Sequence, residues 1–487
     1  MKVCLLNDSF PPLIDGVANV VMNYARIMQT EKLAEVMVAT PRYPGADYTG
    51  YPYRVVAYQS IDTTKIAKGY RAGNPLDLVE LKDMADFDAD IIHTHCPIAS
   101  AFLARILRVK SQSPVIFTYH TKFDEDIARA VKDKFLQKET IRMLVKNIEA
   151  CDEVWVVSRG AGENLRSLGY EGDYRVVSNG VDFAKGRVSE EGVIAATGAY
   201  DLPEGVPLFL FVGRLIAYKG IDIILDAMAR LSQAGKDFRM VFVGSSVDEE
   251  GFKEKARKLG LLDNPDSSPR GKCIFTGAIY DRDTLRAFYT RADLFLFPST
   301  YDTNGIVVRE AAACGLASVL VEGSCAAEGI TDGRNGYFIK QNAQSLSELL
   351  LGVMEDFEGM HRVGQNAMDE IYISWEESVH NAHQRYGEIL EEDRQSRYPG
   401  RLMQADMLRD YFSGITGEEA EELQYISNRQ KEMQREMQKE LEQVLSRQRE
   451  AGRELKEHIS ESISSHITDI KMDAKEIEEE LQRFYNR

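Results

Sequence analysis

Twice along this chain, short unbroken apolar runs alternate with longer segments that are apolar on one face only. Residues 3–6, 36–39, 91–93, 115–119 and 154–157 make the first set; residues 209–212, 240–243, 273–276, 294–297 and 317–321 make the second. Apolar runs without polar alternation belong to strands buried on both faces, and the helical lengths between them suit parallel crossovers. The pattern predicts an α/β fold of two doubly wound domains. Between the sets, residues 184–206 loosen into Gly, Ala, Ser and Glu and read as an interdomain connection. The domains are bounded at 1–183 and 207–370, a split that suits 487 residues, too many for one ordinary core.

In such sheets ligands gather at the carboxyl ends of the strands. The run 294–297 ends at Pro298 and Ser299, a Gly-containing loop follows, and a helix begins near Gly305. Asp302 and Glu310 stand on either side of that helix start with seven residues between them. The first N–H groups of a helix lack internal partners and carry partial positive charge, which suits a phosphate or a polar sugar. Glu310 falls about one and a half turns into the helix and can reach another part of the same ligand. The same letters also describe an ordinary strand-loop-helix with surface acids. After the run 209–212, Gly213-Arg214 and Lys219-Gly220 put two cations at a strand's carboxyl end, with glycines that let an anion approach closely.

Together these segments resemble the retaining glycosyltransferases of family 4, which have the two-domain GT-B architecture. The family's E-x7-E signature is here Asp302…Glu310, and its G-R-x4-K-G signature is Gly213-Arg214…Lys219-Gly220. Collinear matches continue at residues 7–18, 90–97, 118–121, 178–182, 275–277 and 328–336, so the resemblance spans roughly residues 1–390.

The resemblance implies two Rossmann-like domains facing a cleft, with residues 371–398 as a helix that crosses back onto the first domain. It implies a nucleotide diphosphate held mainly by the second domain. Arg214 and Lys219 would neutralise the leaving diphosphate, and Glu310 would accept hydrogen bonds from the ribose. Asp302 would bind donor-sugar hydroxyls together with backbone N–H groups from Gly305, Ile306 and Val307. In the first domain, Gly16 would let the backbone approach the β-phosphate, and His120 would contact the sugar beside the anomeric carbon. No metal or other cofactor is expected, because two cations and a helix end take that part. Asp86-Phe-Asp88 has the letters of a DxD site but reads as a solvated turn, and His93 and His95 read as structural.

This sequence departs from the family at Asp302, where Glu is usual, and at Asp15-Gly16, where Gly-Gly is usual. Asp302-Thr-Asn304-Gly resembles the Glu-Thr-Gln-Gly of lipid-glucosylating relatives. Those relatives have an acid near Asp124, a candidate acceptor contact, and a basic amphipathic segment that meets anionic headgroups. Here the corresponding helix is expected over 127–150, with Arg129, Lys132, Lys134, Lys138, Arg142 and Lys146; a solvated face is the other reading.

The expected activity is transfer of a hexose from a nucleotide-diphosphate sugar, UDP-linked first, to an acceptor hydroxyl on a lipid, glycan or cell-envelope glycoconjugate. A sugar epimerase of the same architecture and a non-catalytic scaffold are the alternatives. A net charge of −18 argues against nucleic acid as a partner. No run of about 18 apolar residues exists to span a membrane. Six dispersed cysteines read as reduced thiols, and the chain enters a strand at once without a signal peptide. A cytoplasmic enzyme, peripheral at the inner face of the membrane, is expected. From about residue 402 to 487 the composition turns to Gln, Glu, Arg, Lys and Met with a heptad-like apolar stripe. That helical extension is expected to make homo-oligomers through a coiled coil; packing on the body, or on a partner or membrane surface, are the other readings.

Overall fold

The computed structural model describes residues 1–62, 70–74, 78–130, 132–262, 272–300 and 302–395. The expected helical extension over 402–487 lies outside the described residues. From the N-terminus run β1 (Lys2–Leu6), β2 (Glu35–Pro41), β3 (Arg54–Tyr58), β4 (Ser60–Asp62), β5 (Arg71–Gly73), β6 (Ile91–Thr94), β7 (Val115–Tyr119), β8 (Glu153–Val156) and β9 (Arg175–Val176). β4 and β5 form a small antiparallel pair. The others make one parallel sheet in the order β3-β2-β1-β6-β7-β8-β9. A second parallel sheet takes β10 (Leu208–Val212), β11 (Arg239–Val243), β12 (Cys273–Gly277), β13 (Leu294–Phe297), β14 (Ser318–Val321) and β15 (Tyr337–Ile339) in the order β12-β11-β10-β13-β14-β15. Each order is that of a Rossmann sheet, and it reverses between β1 and β6 in the first and between β10 and β13 in the second.

Alternate residues of the first sheet enter different cores. Cys4, Leu6, Met37, Ala39, Ile92 and Phe117 pack on one side, and Val3, Leu5, Val36, Val38, Ile91 and Ile116 on the other. Both faces are dry, which is why these strands read as unbroken apolar runs. The helix Trp375–Arg394 adds Trp375, Val379, Ala382, Tyr386 and Ile389 to the second of those cores, so the end of the described chain completes its beginning. Tyr386 stacks on Trp155 with ring centroids 5.5 Å apart. The two passages between the sheets run side by side, with Val181 paired to Ser374. Gly180 has no room for a side chain there: a Cβ would lie 2.4 Å from the Trp375 nitrogen.

The segment 184–206 carries more structure than its composition suggests. Ser189 caps a helix, Glu190–Thr197, whose first turn holds Glu190 and Glu191. Nearby, Tyr200 meets Phe288 edge-on at 5.4 Å, tying the segment to the second domain. In place of one helix over 127–150 there are two, Phe123–Ala130 and Lys134–Glu149. Asp133 causes the break: its Oδ1 accepts from the N–H groups of Phe135 (2.9 Å) and Leu136 (3.0 Å), a capping geometry that helix interiors do not offer. No described helix is long and apolar enough to cross a membrane.

Candidate functional site

The loops leaving β10 and β13 meet at the point where the second sheet reverses, and they bring the predicted charged residues together. Lys219 ends a single 3-10 turn, Ala217–Lys219, and its Nζ forms an ion pair with Asp302, across 83 residues of sequence. The same ammonium lies 5.2 Å from the centroid of the Phe297 ring. Asp302 Oδ2 accepts a hydrogen bond from Ser299 Oγ at 2.6 Å. Asp302 is thus already engaged on both oxygens, although each retains a lone pair for a further donor. Arg214 is exposed, has no ion pair among the described residues, and donates to the Tyr218 hydroxyl at 3.1 Å.

Gly305 caps the helix Ile306–Ala313 in a left-handed conformation (φ 57°, ψ 46°) without any side-chain cap. A Cβ there would come 3.0 Å from the Ala326 Cβ, so glycine suits both the turn and the close approach. The uncapped N–H groups of Ile306 and Val307 therefore open the helix toward the same loop. Before them, Asn304 has both side-chain polar atoms buried without a partner among the described residues.

Glu310 is buried deeper than a surface acid. Its Oε1 accepts from Arg282 at 2.8 Å and its Oε2 from the Tyr289 hydroxyl at 3.2 Å. Burial raises its pKa, and Arg282 opposes that rise. Arg282 in turn lies 4.3 Å over the Phe183 ring and 3.9 Å from Asp182. Arg282, Tyr289 and Ser299 carry no motif, so the sequence offered no signal for them.

In the first domain, His120 follows β7 and lies beside His95, which follows β6. His95 Nδ1 and His120 Nε2 are 2.9 Å apart, so a single proton is shared between two neutral rings. The rings stack with centroids 5.2 Å apart. The other nitrogens, His95 Nε2 and His120 Nδ1, are buried without partners among the described residues. His93 plays a structural part, held by the Tyr386 hydroxyl at 2.5 Å and by Thr118 Oγ1 at 2.7 Å. Burial depresses all three imidazoles, His120 to about 3.

A depressed histidine pKa makes the unfolded chain bind more protons at acid pH, so stability is full above about pH 6.5 and falls as pH drops toward the folded value. Each such histidine contributes a slope of about 1.4 kcal/mol per pH unit. Urea denaturation is expected to show stability falling steeply from about pH 6.5 to 5. His120→Gln should flatten that slope, and a slope unchanged by the substitution would contradict the assignment.

Gly16 opens the helix Gly16–Thr30, and a Cβ there would meet nothing within 4 Å. Its neighbour Asp15 occupies the helix start: Oδ1 accepts from Val17 N (3.0 Å), Ala18 N (2.8 Å) and Ser9 Oγ (2.9 Å). Those donors are therefore not open to a phosphate, and the Asp-for-Gly departure has a structural cause. Asp124 sits at the start of the helix Phe123–Ala130 with Oδ1 buried and unpartnered among the described residues. Lys134, Leu136 and Lys138 are exposed on the following helix, whose later half buries Leu144, Val145 and Ile148. Asp86 is held by Lys82 at 2.5 Å one turn away, a solvated arrangement.

The two domains touch along a seam at the loop after β13. Thr303 Oγ1 donates to the His120 carbonyl at 2.8 Å, and the Ser158 hydroxyl donates to the Thr303 carbonyl. Arg159 N donates to Glu328 Oε2 at 2.5 Å.

Known proteins share this organisation. Residues 14–185 match the family described as Glycosyltransferase Family 4, and residues 196–370 match Glycosyl transferases group 1. An alpha-monoglucosyldiacylglycerol synthase of Acholeplasma laidlawii is 22% identical over 381 residues, covering 75% of this chain and 92% of that protein. The protein of the same description in Streptococcus pneumoniae is 23% identical over 333 residues, 65% of this chain and 70% of that one. Among solved structures, Anabaena HepE in complex with UDP-glucose superposes with a TM-score of 0.58 at 17% identity, covering 80% of this chain and 100% of that chain. At that identity the superposition speaks for the GT-B fold alone.

Proposed function

Because the chain belongs to the family-4 glycosyltransferases, we propose that it moves a hexose, with retention, from a UDP-linked donor to a hydroxyl of a glycerolipid or related envelope glycoconjugate. The observation that carries this reading is the meeting of Arg214, Lys219, the uncapped start at Ile306 and buried Glu310 around one switch point. In this reading the diphosphate lies against Arg214, Lys219 and the helix N–H groups, which favour negative charge as it develops on the leaving oxygen. The ribose reaches Glu310, whose oxygens retain accepting capacity beside Arg282 and Tyr289. The sugar lies between the donor loop, with Asp302 and Asn304, and His120. On one face of the ring the acceptor oxygen bonds to the anomeric carbon as the bond to the β-phosphate oxygen breaks. The acceptor proton passes to that departing phosphate oxygen.

The lipid acceptor is supported by the two diacylglycerol-glucosylating relatives and by Asp124, whose unpartnered oxygen belongs to the helix that directly follows His120. Exposed Lys134, Leu136 and Lys138 suit a peripheral contact with an anionic membrane face. The test is a thermal-shift and donor-hydrolysis panel of UDP-, GDP- and ADP-sugars. A UDP-sugar at a hundredfold excess over its Kd should add about 2.7 kcal/mol of stability. Preference for another nucleotide would overturn the UDP assignment, and no response to any would overturn the transferase. Conversion of the donor without any acceptor hydroxyl or water would favour the epimerase.

A further inference from the structure

The donor loop is held from both domains at adjacent residues. Asp302 is fixed within its own domain by Lys219 and Ser299. Thr303, the next residue, makes its side-chain and carbonyl hydrogen bonds to the other domain, with the His120 carbonyl and the Ser158 hydroxyl. Asn304 and Gly305 then lead into the helix start whose N–H groups face the loop. We propose that Thr303 is a positioning residue that sets the shape of the donor loop only when the two domains have closed on each other. The proposal rests on the transferase reading above.

The geometry explains why. His120 and Ser158 stand at the carboxyl ends of β7 and β8, so they meet Thr303 only while those ends lie against the loop after β13. A hydrogen bond of 2.8 Å is lost on a displacement of an ångström or so. Domain opening therefore releases the loop at Thr303 while Asp302 stays tethered to Lys219. The contact does not stand alone: Arg159 N binds Glu328, and Gly160 sits so close to Cys325 that an added Cβ would come 2.4 Å from its Sγ. The His120 carbonyl held by Thr303 also fixes the peptide that carries the His120 ring. One hydroxyl thus sets the donor loop and the histidine opposite it in a common register, because it is spent on the His120 carbonyl. A loop that is correctly shaped only in the closed form leaves the donor misaligned whenever the cleft is open to water. Transfer is then favoured over hydrolysis.

The test compares Thr303→Val, which keeps the branching and volume but removes the hydroxyl, with Thr303→Ser, which keeps it. In T303V, amide exchange in peptides spanning 302–308 of the full chain should rise about tenfold, because opening releases the loop. Its kcat for transfer should fall about tenfold while nucleotide Kd moves less than about twofold, and the ratio of hydrolysis to transfer should rise severalfold. T303S should restore kcat to within about twofold. Wild-type exchange and kcat in T303V would overturn the proposal. So would a loss that T303S does not rescue, or one matched by an equal loss of nucleotide affinity. Wild-type protein that turns over no donor would sink the transferase reading instead; the exchange comparison uses no substrate and still decides the latch.

Discussion

Lys219→Ala is expected to lower kcat/KM for transfer by about 10²- to 10³-fold, the scale seen when one donor to a developing anion is removed. The effect should be this large because the ammonium is already in place before substrate arrives. Asp302 and the face of the Phe297 ring hold it, so little is spent on ordering it when the diphosphate binds. The substitution also leaves Asp302 with Ser299 alone, a carboxylate without its counter-ion. Lys219→Arg should rescue poorly, since a bulkier planar fork does not reproduce the compact ammonium packed against Asp302. Steady-state kinetics beside a thermal melt separate the outcomes. A folded Ala variant with near wild-type kcat/KM would remove Lys219 from the chemistry.

Glu310→Ala should weaken donor binding by about 10- to 100-fold, the worth of a hydrogen bond to a charged group. It should also reduce stability, because the Tyr289 hydroxyl is buried and loses its acceptor at a cost of about 1–3 kcal/mol. Arg282 is partly exposed and can turn to water, so its loss adds little. Glu310→Gln keeps an oxygen for one of the two partners and should recover most of the stability but less of the affinity. Comparing UDP with its 2′-deoxy form isolates the ribose contact. Wild type should discriminate between them and the Ala variant should not. Equal discrimination by both proteins would place the ribose elsewhere.

The fold was legible wherever burial on both faces left no polar alternation, as in Leu208–Val212 or Val115–Tyr119. Strands for which that rule fails are not legible, among them the edge strand Arg54–Tyr58, with its mixed exposure, and the three-residue Tyr337–Ile339. Over 127–150 the sequence suggests one helix because apolar periodicity continues across Asp133, whose side chain binds backbone and starts a new helix. For the site, the motif residues gave the positions of the charges but not their partners. Lys219 and Asp302 stand 83 residues apart, Arg282 and Glu310 28, and Thr303 and His120 183. The first two contacts exist only once the second sheet is assembled and the third only once both sheets are placed, and a single sequence has no periodicity that encodes them. His95 is an instructive case. Like His93 it makes a buried hydrogen bond, but its partner is the His120 imidazole, a pairing that the sequence does not announce.

The helix Trp375–Arg394 has a consequence for how this protein is made. The apolar surface over Val3, Leu5, Val36 and Trp155 is covered by Trp375, Val379, Tyr386 and Ile389, which leave the ribosome last among the described elements. Synthesis at ~5–20 residues per second puts about 10–40 s between the end of the first sheet and its final cover. For that interval the nascent first half carries a greasy, unfinished flank, and His93 waits for the tyrosine hydroxyl that will hold it. A premature stop anywhere between the two would release a half-enzyme with that flank bare, a species made for chaperones and proteases rather than for sugar transfer.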